Sequence, residues 1–277
     1  MPFTDEQIKL ACELNKDGLE WFRICDLLNI PKEEKERLRS ACRRSDSYKA
    51  GTVLVFSDTH LPFMHPNYME FVYDTAVKYR ADTIVHCGDL VDHHALSFHT
   101  SEPEAHGSEY EAELAQMEVD KIVNMFDDLW LTIGNHDRIP ERKAKELGLG
   151  NRYVKRFEDM YGLPSGWKIT EDLELDDVLY THGLGYGGKD GAYNGAIKNR
   201  MSLVMGHAHS FAGCKYMANK KDIVFGMNVG CGIDVESYAA AYGKHIVNKP
   251  ILGCGIVKSS EEAYFVPMGS RYMRSNR

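Results

Sequence analysis

Five times in this sequence an apolar run ends on residue types that bind metals or move protons. TVLVF (52–56) runs into Ser57-Asp58-Thr59-His60, and TIVHC (83–87) into Gly88-Asp89-Leu90-Val91-Asp92. LWLTI (129–133) runs into Gly134-Asn135-His136-Asp137, VLYT (178–181) into His182-Gly183, and LVM (203–205) into Gly206-His207-Ala208-His209. Asp58, His60, Asp89, Asn135, His182, His207 and His209 offer carboxylate, imidazole and amide donors without a thiolate. Such a mix suits manganese, with iron and zinc as alternatives. One tetrahedral ion needs only about four ligands. Seven, with a shared carboxylate, suit two ions about 3.5–4 Å apart, a pair that activates water and stabilises charge during displacement at phosphorus. Residues two apart in extended backbone share a face, so Asp58 with His60, and His207 with His209, are expected to reach one cavity through extended chain. The adjacent glycines let the backbone turn sharply there.

These groups span about 150 positions, so the fold must gather them. The runs 52–56, 83–87 and 129–133 are of strand length and rich in β-branched residues. Helical patterns at 66–78 and 109–126 separate them, which predicts βαβ units and a mainly parallel sheet. Ligands in such sheets collect beyond the carboxyl ends of the strands. Short strand-like runs follow at 167–170, 173–175, 178–180, 203–205, 223–228, 253–258 and 263–267, separated by turn residues. They predict hairpins and a second sheet packed on the first. Two polar stretches, 93–108 and the glycine-rich 184–195, are expected as loops, the second one mobile and facing substrate.

In that order, SDTH, GDLVD, GNHD, THG and GHAH resemble the five blocks of the calcineurin-like metallophosphoesterases, from about residue 52 to 209. The resemblance implies an α/β (α+β layered) fold, a two-sheet β-sandwich flanked by helices. It implies that Asp58, His60 and His209 bind one divalent metal ion, that Asn135, His182 and His207 bind a second, and that Asp89 bridges them with a hydroxide. It implies that His136 protonates the leaving oxygen and that Asp92 hydrogen-bonds His136 and sets its tautomer. One departure stands out. Where the protein Ser/Thr phosphatases of the family continue the second block with Arg-Gly, this chain has His93-His94. That puts protein phosphatase activity in doubt, and the diesterase branches of the family, nucleases among them, vary more at this point. With the ligand set complete, the expectation is a phosphodiesterase acting on nucleotides or nucleic acid, by metal-hydroxide attack on phosphorus. A phosphomonoesterase on nucleotides or nucleic-acid ends is the alternative. His93, His94 and Tyr193 are candidate substrate contacts.

Residues 1–48 lie outside the resemblance and form a first segment, with the phosphoesterase domain at 49–277. Apolar positions at helical spacing, a capping box at Thr4–Gln7 and a break at Asn29-Ile30-Pro31 predict three helices in a helix-turn-helix-like order. Residues 32–44 carry Lys35, Arg37, Arg39, Arg43 and Arg44, a candidate DNA contact. A binding module without catalysis is the third functional reading, and the complete ligand set weighs against it. Trp21 and Phe22 are expected in the helical core, His65, His86, His106 and His245 as structural, and Cys87 and Cys231 as core packing.

The bulk composition allows this. The chain has 277 residues, 43% hydrophobic and 27% charged, ordinary for a globular protein. A net charge of −8 disfavours coating nucleic acid over the whole surface. No apolar run is long enough to span a membrane. The polar, acidic first twenty residues lack a signal-peptide pattern, and seven cysteines without a CxxC pair suit a reducing compartment. The expectation is a cytoplasmic protein of a bacterial or phage-infected cell, of undetermined oligomeric state.

Overall fold

The computed structural model describes residues 3–16, 19, 21–43, 51–97, 107–220, 222–234 and 249–273. The chain divides into two compact units, Met1–Gly51 and Thr52–Arg277.

The first unit holds α1 (Asp5–Lys16), α2 (Trp21–Leu27) and α3 (Lys35–Arg43), the last entered through a 3-10 turn at Lys32–Glu34. The capping box at its start is formed reciprocally. Gln7 N donates to Thr4 Oγ1 at 3.1 Å, and Thr4 N donates to Gln7 Oε1 at 3.0 Å. Ala11, Cys12, Ile24, Cys25, Leu38 and Cys42 make a small buried core. Trp21 packs against it, but Phe22 does not join it. Its ring is half exposed under the Lys35 ammonium, because Ile24 and Cys25 already fill the inward face of α2. Arg44 lies outside the described residues, as does most of the 93–108 loop.

The second unit runs β1 (Thr52–Phe56), α4 (Tyr68–Tyr79), β2 (Thr83–His86), α5 (Ser108–Met125), β3 (Leu129–Thr132), α6 (Ile139–Glu146), α7 (Phe157–Met160), β4 (Trp167–Thr170), β5 (Asp172–Leu175), β6 (Val178–Thr181), α8 (Gly191–Asn199), β7 (Ser202–Met205), β8 (Ala212–Ala218), β9 (Ile223–Val229), β10 (Gly253–Lys258), β11 (Glu262–Pro267) and α9 (Ser270–Met273). One sheet has the order β11-β10-β1-β2-β3-β4 and the other β5-β6-β7-β9-β8. In the first, β1 to β4 are parallel neighbours. In the second, β6, β7 and β9 are.

The strand sequences explain the layering. In β1, Leu54 and Phe56 join Phe71, Val72, Val119 and Ile122 of α4 and α5 in one core, while Val53 and Val55 are buried on the opposite face. A strand buried on both faces reads as the unbroken apolar run seen in the sequence. The sheets approach closely at Gly255 of β10, where a Cβ would lie 2.7 Å from Met227 Cε and 2.8 Å from Val229 Cγ1 of β9. Ala192 and Ala196 of α8 cover Leu203 and Met205 on the outer face of the second sheet.

The second half is less a set of hairpins than its turns suggest. Strands β4, β10 and β11 return to the first sheet, and β6 reaches its parallel neighbour β7 through α8. The glycine-rich stretch is therefore a loop only as far as Asp190, and its second half is helix. Strand β8 was not legible, since AGCKYMA is a half-exposed edge strand with little alternation. Among the described residues no helix is long and apolar enough to cross a membrane.

Candidate metal centre

The five strands β1, β2, β3, β6 and β7 deliver their following residues to one place, where the carboxyl ends of both sheets meet. Three groups of side chains could hold a cation. They are Asp58, His60 and His209; Asp89, His182 and His207; and His60, Asp92 and His136. Within each group the potential ligand atoms lie within 4.8 Å of one another.

In the first group His209 Nε2 stands 2.9 Å from Asp58 Oδ1. His60 Nε2 is 3.7 Å from both Asp58 Oδ1 and Asp89 Oδ2. This nitrogen is buried without a hydrogen-bond partner, although such groups are almost always satisfied. Its other ring nitrogen, Nδ1, is engaged by Asp92 Oδ1 at 2.5 Å, which turns Nε2 toward the two carboxylates. A cation between them would be the partner it lacks. In the second group His182 Nε2 lies 3.0 Å from Asn135 Oδ1, 3.1 Å from Asp89 Oδ2 and 3.1 Å from His207 Nδ1. His182 Nδ1 donates to the Cys87 carbonyl at 2.9 Å, again leaving Nε2 for the centre. Asp89 stands between the two groups.

The backbone that makes this possible is not extended. Asp58, His60, Asp89 and His207 have φ of 54°, 46°, 53° and 64°. Non-glycine residues in this region cost about 1–3 kcal/mol each and concentrate at functional sites. Asp58 and His60 thus reach one cavity through successive left-handed turns, not through the extended alternation read from their spacing. Two glycines open the room. A Cβ at Gly134 would stand 2.1 Å from Asp89 Oδ1, and one at Gly206 2.2 Å from Asp58 Oδ2.

Backbone amides orient the carboxylates. Asp58 Oδ2 accepts from His207 N at 2.9 Å and Asp89 Oδ1 from His136 N at 2.7 Å. Burial opposes charge on both acids, but neighbouring imidazoles, His209 for Asp58 and His182 for Asp89, hold them below the usual carboxylate range. The reciprocal effect draws protons onto the rings. Burial disfavours charge on His182, yet Asp89 and Asp58 lift it to about 9. Buried carboxylates demand positive charge, and divalent cations would satisfy the same field.

His136 sits at the edge, its side chain 21% exposed. Its Nδ1 is 2.8 Å from the Asp92 carbonyl and 3.2 Å from Asp92 Oδ1. Burial lowers its basicity, and the Asp92 hydrogen bond more than restores it, leaving a raised pKa. Asp92 therefore serves two rings, and its tighter bond is to His60. The candidate substrate contacts fare differently. His93 is buried with both nitrogens engaged, Nδ1 with the His136 carbonyl and Nε2 with the Tyr161 hydroxyl, each at 2.9 Å. His94 is buried beside Asp92, 3.7 Å away. Tyr193 lies on α8 against Gly226 of β9. His86 is buried against the Phe56 ring, where desolvation pushes it down to about 3. Cys87 and Cys231 are buried, and His106 and His245 lie outside the described residues.

Sequence reasoning assigned no role to Asp137, Glu111 or Tyr161. Asp137 is 4% exposed, and its carboxylate accepts N–H groups of Asp89, Val91 and Gly134 at 2.9–3.1 Å. Burial and the nearby Asp89 raise it to about 6. Glu111 does the same for the N–H groups of His94 and Ala95. Only Asp137 had a signal, its place in the GNHD block.

A family model described as calcineurin-like phosphoesterase matches residues 51–231. No curated protein matches the sequence. Among solved structures, vacuolar protein sorting 29 of Cryptosporidium parvum is similar at 12% identity, with a TM-score of 0.38 over 76% of this chain and 86% of that one. The phosphoesterase Yfce of E. coli is similar at 16% identity, with a TM-score of 0.37 over 75% and 88%.

Proposed function

This chain belongs to the calcineurin-like phosphoesterase family, a metal-dependent hydrolase of phosphate esters, and from that premise we propose that it is a dinuclear phosphodiesterase acting on nucleotide or nucleic-acid esters. The observation that carries the reading is the buried, partnerless His60 Nε2 facing Asp58 and Asp89, beside a second donor group that shares Asp89. Asp58, His60 and His209 would hold one ion, Asn135, His182 and His207 the other, and Asp89 both. Bound there, two divalent ions, manganese by preference for this oxygen and imidazole set, would supply Lewis acidity toward the phosphoryl oxygens and a water molecule.

The rest of the work falls to the chain. His136 donates a proton from Nε2 to the departing oxygen, since Asp92 engages its Nδ1. The Asp92 hydrogen bond raises the basicity of His136 against the effect of burial, which favours the protonated ring that a general acid needs. Asp137 and the left-handed turns keep the loops of Asp89 and Gly134 in register. His93, with both nitrogens engaged, supports the His136 backbone, and the missing Arg-Gly weighs against a protein phosphatase. Seven free cysteines support a cytoplasmic setting. The test compares hydrolysis of bis(p-nitrophenyl) phosphate and p-nitrophenyl phosphate by manganese-loaded protein, with Asp89→Asn as the blank. Diester preference supports the proposal. Monoester preference turns it to an end or nucleotide phosphatase.

A further inference from the structure

Beside the centre the second unit carries a cavity of about 520 Å³, between the loop after β3, α6, the segment 154–158 and β4. That volume is typical of small-molecule sites. Ile133, Val154, Phe157, Met160 and Ile169 line it, and all remain only half-buried. They leave apolar surface that folding has not removed from water.

The cavity and the centre share walls. Asp137 lines the cavity while its carboxylate accepts the N–H groups of Asp89 and Gly134. Phe157 lines it too, and its ring meets His93 edge-on at 6.4 Å and 82°. His93 in turn donates from Nδ1 to the carbonyl of His136. None of the candidate metal ligands lines the cavity; it adjoins the centre through Asp137 and, by way of Phe157 and His93, through the His136 backbone. Of the charged residues in the lining, Arg138 pairs with Glu171, and Arg156 with Glu158 at 3.1 Å. The lining sets Arg138, Lys155 and Arg156 against Asp137, Glu141, Glu158 and Glu171, which leaves no surplus positive charge for a further phosphate, so recognition falls to the apolar walls.

We propose that this cavity receives the organic group of the phosphate ester, an uncharged ring of aryl or nucleobase size, and so selects esters that carry one. The proposal rests on the phosphoesterase reading, but its test does not need turnover. Phenylphosphonate and methylphosphonate, neither of them hydrolysed, are titrated calorimetrically into manganese-loaded full-length protein and into Ile169→Trp and Val154→Trp, which fill the cavity from two sides. Wild type should bind the phenyl compound at least about tenfold more tightly, and each variant that retains its unfolding transition should bring the ratio to about one. Equal affinities in wild type, or a preference that survives the substitutions, overturn the proposal. A ring preference in a protein that cleaves no ester would remove the phosphoesterase reading and leave the cavity. Cleavage without ring preference would do the reverse.

Discussion

At the scale of single residues, two side chains carry the sharpest expectations. Asp89 lies 3.1 Å from His182 and 3.7 Å from His60, one contact in each donor group. Asp89→Asn removes the negative charge and leaves one neutral oxygen donor where two carboxylate oxygens stood. Activity should fall more than about 100-fold, beyond the loss usual for outer ligand partners, and metal analysis after dialysis should find fewer than two ions per chain. Full occupancy with full activity would reject the shared-carboxylate role. His136 touches the centre through its backbone N–H, which donates to Asp89 Oδ1 at 2.7 Å, through the shared Asp92, and through its ring, which meets His60 edge-on at 4.5 Å. For His136→Gln, kcat should drop by about 10²–10⁴ with metal content unchanged. The loss should be steeper for an alkyl leaving group than for p-nitrophenol, which leaves without help. A uniform loss across leaving groups would count against proton donation.

At the scale of elements, loops rather than strands hold the strain, and one buried acid restrains them. Three backbone N–H groups converge on Asp137. Asp137→Ala leaves them buried and unpaired, so unfolding in urea should show a loss of at least about 2 kcal/mol. An unchanged midpoint would mean that water replaces the carboxylate. In the helical unit the Thr4 hydroxyl caps α1 from outside the core. Thr4→Ala should cost about 1 kcal/mol, visible as faster amide hydrogen exchange across α1. The strands whose runs are apolar throughout, β1, β2, β3 and β7, were legible within a residue of their ends. Helix α8 and strand β8 were not, because glycines obscured the helical pattern of one and edge exposure the alternation of the other.

At the scale of the whole molecule, charge decides what partners are available. The net charge is −8, and the described basic groups of the segment 32–44 are largely engaged within their own unit. Lys32 pairs with Asp26 at 3.2 Å, Arg37 with Glu34 at 2.6 Å, and Lys35 sits over Phe22 at 4.3 Å. The full chain should therefore bind a short DNA duplex weakly, with a slope of log K against log salt no steeper than about −3. A slope beyond about −5, lost in the double variant Lys35→Glu, Arg37→Glu, would establish the helical unit as a DNA guide.

The sequence alone carried the chemistry. Donor types, their order and their position after apolar runs were all legible, because metal and proton chemistry restrict residue type at each point. The sheet partners of the later strands, the left-handed turns at Asp58, His60, Asp89 and His207, the sharing of Asp92 between two rings and the engagement of both His93 nitrogens belong to the tertiary structure. They depend on residues far apart in sequence meeting at a few ångströms, as His207 and Asp58 do at 2.9 Å across 149 positions. No local pattern encodes such a meeting, since it arises only when two sheets pack and bring their carboxyl ends together.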